Sequence, residues 1–225
     1  MRLAVFNGSP RSRGSNTACL LEPFLEGFSE TEGNKYELHY LALEKEFQEC
    51  VRAFSEADNV LWAFPLYTDC MPYAVKNFIE ALAPSGGRDR IPALAFFVHS
   101  GFPESVHSHN LRRYLEKLAI RLGCPLIGTV IKGGSEGIRE QPPVMTRKLF
   151  HRLRVLGRIF GRSGRFDPEI VALLARPVRY SRLGLLGARV GMKMGELMHW
   201  NMLLKKNGAY EKRFARPYSQ NISEE

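Results

Sequence analysis

A chain of 225 residues, 44% of them hydrophobic and 24% charged, is long enough for one substantial core and too apolar to remain disordered. No apolar run approaches the roughly 20 residues that cross a bilayer, and residues 1–6 enter a Gly/Ser/Pro loop too early for a signal peptide, so the expected location is the cytoplasm. The net charge of +9 is uneven: residues 1–144 carry 15 Lys+Arg against 17 Asp+Glu, and residues 145–225 carry 17 against 6.

In chain order, residues 2–6 form a short apolar run that suits a buried parallel strand. Ser15 is placed to cap a helix with Ala18, Leu21, Phe24, Leu25 and Phe28 at helical spacing. A second strand is predicted over 35–41, an acidic helix over about 45–56, and a buried third strand over 59–64, ended by Pro65. Helix 72–82 follows, with Pro72 in its first turn. Residues 92–98 read as the fourth strand, about 106–122 as a helix closed by Gly123, and 125–131 as the fifth strand. Strands alternating with helices imply a parallel sheet covered on both faces, in a three-layer α/β/α domain over 1–135.

From residue 145 the strand pattern stops. Residues 147–160 place Leu149, Leu153, Leu156 and Phe160 on one helical stripe, with arginines mostly elsewhere; Gly157, Gly161 and Gly164 are expected to limit that helix. Further helices are predicted around 168–175 and 187–205, the latter stopped at Asn207-Gly208. Residues 136–225 thus read as a basic helical extension packed on or over the first domain. A solvated charged face is the simplest role for its cations. A lid over the active site is the second reading, and contact with an anionic membrane surface the least favoured; nucleic-acid binding lacks a signature.

Three loops at strand carboxyl ends carry the chemistry. Residues 7–17 (N-G-S-P-R-S-R-G-S-N-T) join the first strand to the first helix and offer backbone N–H groups, hydroxyls and a helix N-terminus, a natural phosphate cradle. The loop is neither a Walker A motif nor a G-x-G-x-x-G fingerprint. Residues 65–72 (P-L-Y-T-D-C-M-P) supply flat and apolar side chains suited to one edge of a planar heterocycle. Residues 100–104 (S-G-F-P-E) leave the fourth strand on the other side. His99, His107 and His109 lie close in sequence but lack acidic or thiol partners, so no metal site is expected.

N-G-S-P-R with G-S-N-T, then P-L-Y and K-N-F-I-E, resembles the flavodoxin-like NADPH-dependent FMN reductase family. The resemblance implies strand order 2-1-3-4-5 and an FMN phosphate held by Ser9, Arg11, Ser15, Asn16 and Thr17. It also implies that Pro65, Leu66, Tyr67, Thr68 and Met71 border the isoalloxazine, with Ser100, Gly101 and Phe102 opposite. With only Cys50 between strands two and three, an iron–sulfur cluster is not expected.

The implied activity is an oxidoreductase passing hydride from NADPH or NADH through FMN to a small acceptor: a quinone, a nitro or azo compound, free flavin or a metal chelate. No side chain is nominated as catalytic, because the cofactor carries the chemistry. A homodimer is the family expectation. An FMN electron carrier without its own substrate, or a flavin-free binder of another phosphorylated ligand, are the alternatives. The role of G-G-S-E-G-I-R after the fifth strand stays unassigned.

Overall fold

The apolar runs form five parallel strands in the computed structural model, which describes residues 1–82, 91–177 and 200–216. The strands are β1 (Arg2–Asn7), β2 (Lys35–Tyr40), β3 (Asn59–Pro65), β4 (Ala93–His99) and β5 (Leu126–Lys132). They make one sheet in the order β2-β1-β3-β4-β5, every neighbouring pair parallel. Central strands are apolar on both faces because helices cover both sides. Alternation then divides them: Leu3, Val5, Leu61, Ala63, Ala95 and Phe97 face one layer, and Ala4, Phe6, Trp62, Phe64 and Phe96 face the other.

The first layer holds α1 (Asn16–Ser29), α5 (Pro143–Ser163) and α6 (Pro168–Ala175); the second holds α2 (Phe47–Glu56), α3 (Tyr73–Leu82) and α4 (His109–Arg121). Phe78 of α3 anchors the second layer, its ring 5.0 Å from Phe6, 5.5 Å from Trp62 and 6.0 Å from Phe54. Full burial of each such side chain stabilises the fold by about 1.5–3 kcal/mol. The flavodoxin-like architecture expected from the sequence is therefore the one observed.

Helix α5 departs from its sequence expectation. It runs without a break from residue 143 to 163, through Gly157 and Gly161, because those glycines meet a neighbouring backbone. A Cβ on Gly157 would lie 1.9 Å from the Phe24 carbonyl oxygen, and one on Gly27 would lie 1.9 Å from the Arg154 carbonyl oxygen. Helices α1 and α5 thus cross backbone to backbone. Leu153, Leu156 and Phe160 are buried there, so the apolar stripe of the basic helix faces α1. Beside the crossing, Glu30 accepts hydrogen bonds from Arg154 and Arg158, which hold its carboxyl down at about 2.

The chain divides into two compact units, Met1–Val178 and Arg179–Glu225. In the second, α7 (Asn201–Lys206) is followed by a turn in which the Arg213 guanidinium stands 3.8 Å from the centre of the Tyr210 ring. Most of the helix expected over 187–205 lies outside the described residues, and Trp200 at its end is exposed. Among the described residues, no helix is long and apolar enough to cross a membrane.

Replacing Gly157 by Ala forces α1 and α5 apart. A destabilisation of about 1–3 kcal/mol is expected, visible as a fall in Tm of roughly 3–10 °C. An unchanged Tm would show that the crossing has room to spare.

Candidate functional site

The site grows from the end of β1. Asn7 is fully buried and its side chain organises the loop beyond it: Oδ1 accepts the Ser9 N–H (2.9 Å), and Nδ2 donates to Ser15 Oγ (3.3 Å). Gly8 lets the chain pass hard against α3, since a Cβ there would lie 2.2 Å from Val75 Cγ2. Ser15 then caps α1. Its Oγ accepts the Ala18 N–H (3.1 Å), and its own proton goes to the Ser12 carbonyl (2.6 Å). The Asn16 and Thr17 amides, ahead of Ala18, find no acceptor within the helix and form the open positive end of α1.

Three further loops close round this end. After β3, Leu66 N–H donates to the His99 carbonyl (2.7 Å), and residues 67–70 form a tight reversal in which Tyr67 and Cys70 exchange N–H bonds (2.9 and 3.0 Å). Its tip, Thr68 and Asp69, sits at φ 47° and 61°, strained for a β-branched residue. After β4, Ser100 is buried, its hydroxyl donates to the Phe102 carbonyl (3.1 Å), and Phe102 itself stands exposed. After β5, residues 133–137 fold back over β4: Gly134 N–H bonds the Phe102 carbonyl (2.8 Å) and Ser135 N–H the Ser100 carbonyl (2.9 Å).

The result is a hollow of about 110 Å³ at the carboxyl ends of the strands. One wall is Ser9, Arg11 and Asn16, a second is Pro65, Leu66 and Tyr67, and a third is Ser100 and Gly101. Eight expected site residues thus meet in one cleft. The others stand behind or beside it. Ser15 and Thr17 are buried with their hydroxyls engaged inside the protein, Met71 packs against the core, and Thr68 forms the strained tip.

His99, Ser135 and Glu136 also line the hollow, and sequence reasoning missed them as site residues. The signals were present: 95, 97 and 99 share one face of β4, and G-G-S-E-G-I-R begins at a strand's carboxyl end. His99 is buried between Thr17 Oγ1 (2.7 Å from Nε2) and Ser135 Oγ (2.8 Å from Nδ1). Burial and the nearby Lys132 ammonium push its pKa down to about 3, so the ring is neutral. His107, by contrast, lies out against Phe102, ring centres 4.7 Å apart.

Residues 1–120 match the family model described as NADPH-dependent FMN reductase. The chain belongs to that family. No curated protein matches it. Among solved structures, an NAD(P)H:quinone oxidoreductase from Methanothermobacter marburgensis is 21% identical (TM-score 0.54, covering 70% of this chain and 98% of that one). An NADH:FMN oxidoreductase in its apo form is 20% identical (0.52; 82% and 98%). An FMN-dependent NADH-azoreductase from Bacillus anthracis, solved with FMN, is 12% identical (0.53; 71% and 99%). Likenesses this distant show the shared fold.

As a member of the FMN reductase family, the chain is an NAD(P)H-dependent oxidoreductase using FMN. Its own residues fit that cofactor. The helix end at Asn16 and the Arg11 cation, both on the hollow, suit a phosphate dianion, and the Tyr67 loop suits a flat heterocycle.

A neutral buried histidine makes stability depend on pH. The unfolded chain binds a proton below about pH 6.5 that folded His99 refuses until about 3. Stability from this group is therefore complete above about 6.5 and lost as pH falls towards 3, about 2 kcal/mol of it by pH 5. Glu30 acts lower, between its ordinary 4.5 and about 2. Denaturant unfolding of wild type and His99→Gln at pH 7 and pH 5 should show the loss only in wild type; equal slopes would mean that His99 is protonated in the fold.

Proposed function

We propose that this protein is an FMN-bound reductase that takes hydride from NAD(P)H and passes electrons to a small acceptor: a quinone, a nitro or azo compound, free flavin or a metal chelate. The observation that carries this reading is the junction of an open helix N-terminus with the apolar 65–72 loop in one cleft. Bound FMN supplies the redox chemistry, accepting hydride from the nicotinamide and giving electrons to the second substrate.

The protein's residues bind and orient. The α1 dipole, the Asn16 and Thr17 amides, the Ser9 hydroxyl and Arg11 hold the phosphate. Ser15 acts one step behind, by fixing the loop. At about 110 Å³ the hollow would take the phosphate end of the cofactor, and the ring system would lie towards its open mouth. There Pro65, Leu66, Tyr67, Thr68 and Met71 form one border and Ser100, Gly101 and Phe102 the other. Exposed Tyr67 and Phe102 leave that mouth open for a planar acceptor.

Residues 1–135 form the cofactor-binding domain in this reading, and 136–225 a basic extension. The outer cations of α5 are a solvated face, since its apolar side is buried on α1. The cationic C-terminal third favours NADPH over NADH. A cytoplasmic homodimer is the proposed form, supported by four free cysteines and by exposed Tyr73 and Val106.

Arg11→Ala should weaken FMN binding about tenfold or more, read by quenching of flavin fluorescence, because a charge-assisted phosphate contact is lost. With NADPH and a benzoquinone varied together, double-reciprocal plots should be parallel, as for two substrates that use one cofactor in turn. Unaltered FMN affinity in Arg11→Ala would remove Arg11 from the site, and intersecting plots would mean that both substrates bind at once.

A further inference from the structure

His99 is a titratable side chain buried under the cleft, and each of its ring nitrogens has a partner on a different element. Its ring nitrogens reach Thr17 on α1 and Ser135 on the loop after β5, while the residue itself ends β4. The direction of the chain follows from its last member. The Ser100 carbonyl can only accept, and it takes both the Ser135 N–H (2.9 Å) and the Ser135 hydroxyl (2.9 Å). Ser135 has a single hydroxyl proton, committed there, so its oxygen accepts from His99 Nδ1–H. Nε2 then carries the lone pair and accepts the Thr17 hydroxyl proton.

A parallel link runs beside it, from Asn16 Nδ2 to the Ser135 carbonyl (3.0 Å). Both links start in the first two residues of α1, whose amides form the open helix end. A shift of the 133–137 loop or of β4 would therefore be felt at the phosphate cradle through this chain.

We propose that His99 is a positioning residue for the cofactor: as a neutral Nδ1–H imidazole it relays a one-way hydrogen-bond chain, Thr17 to His99 to Ser135 to the Ser100 carbonyl, that holds three walls of the cleft in register. The proposal rests on the FMN reading above for its consequence and on the protein alone for its geometry. Thr17 accordingly serves the cofactor by its backbone amide, its hydroxyl being turned to His99.

The test begins without flavin. In the full chain labelled with ring-15N histidine, two-bond proton–nitrogen correlation spectra distinguish the two neutral tautomers, and the His99 signals are those lost in His99→Gln. The expected result is the Nδ1–H tautomer, unchanged from pH 5.5 to 8. The Nε2–H tautomer, or an imidazolium, would overturn the chain's direction.

Ser135→Ala removes the acceptor and should move the ring towards Nε2–H; an unmoved tautomer would contradict the relay. FMN titration supplies the second arm. His99→Phe should bind FMN about tenfold more weakly, whereas His99→Asn, whose amide nitrogen can stand near the Nδ1 position, should recover most of the loss. Equal affinity in wild type and His99→Phe, or no recovery with Asn, would refute the positioning role. Wild type that shows the Nδ1–H tautomer but binds no FMN would refute the cofactor reading instead.

Discussion

Everything at this site depends on one topological constraint: β1 and β3 lie side by side, yet the helices that follow them leave to opposite faces of the sheet. Helix α1 departs towards the α5 layer and α3 towards the α2 layer. Between two loops that diverge in this way a crevice must open, and it opens at the carboxyl ends of the strands. The Asn7 side chain and the close passage of Gly8 over Val75 fix the first loop against that crevice. Without that fixation the helix end would have no set relation to the 65–72 loop.

The loop's polar atoms then fall into two groups. Some are engaged within the protein: Ser15 caps α1 and Thr17 meets His99. Others are offered to the cleft: the Ser9 hydroxyl and the Arg11 cation, beside an Asn16 side chain that is itself tied to the Ser135 carbonyl. Such a division makes physical sense for an anion site. Groups engaged internally remove the conformational freedom that binding would otherwise have to freeze, and leave the offered groups preorganised. The deep histidine belongs with the first group. Its neutrality keeps an unpaired charge out of the interior, and the Lys132 ammonium nearby reinforces that state.

Most of the fold was legible because buried parallel strands leave a local trace. The runs at 2–6, 59–64 and 92–98 are apolar without interruption, and each strand lies within a residue or two of its expected place. The loop after the first strand and the Ser15 cap of α1 were legible for the same reason, their residues being contiguous. Glycines 157 and 161 were misread because their purpose lies elsewhere in the chain: only the approach of Phe24 and Phe28 explains why a side chain is absent there. His99 looked like part of a loose histidine group until its face of β4 was assigned. Ser135 and Glu136 join the cleft by a fold-back over β4 that no local pattern encodes.

The proposed reductase holds in this cleft a flavin that NADPH can reduce. An absorbance spectrum of the purified protein, reconstituted with FMN and freed of excess, is the most direct test when NADPH is added without oxygen. Flavin bands that bleach promptly and return when a quinone is admitted are the expected result. Bands that persist unchanged in NADPH, or a protein that retains no flavin at all, would contradict it.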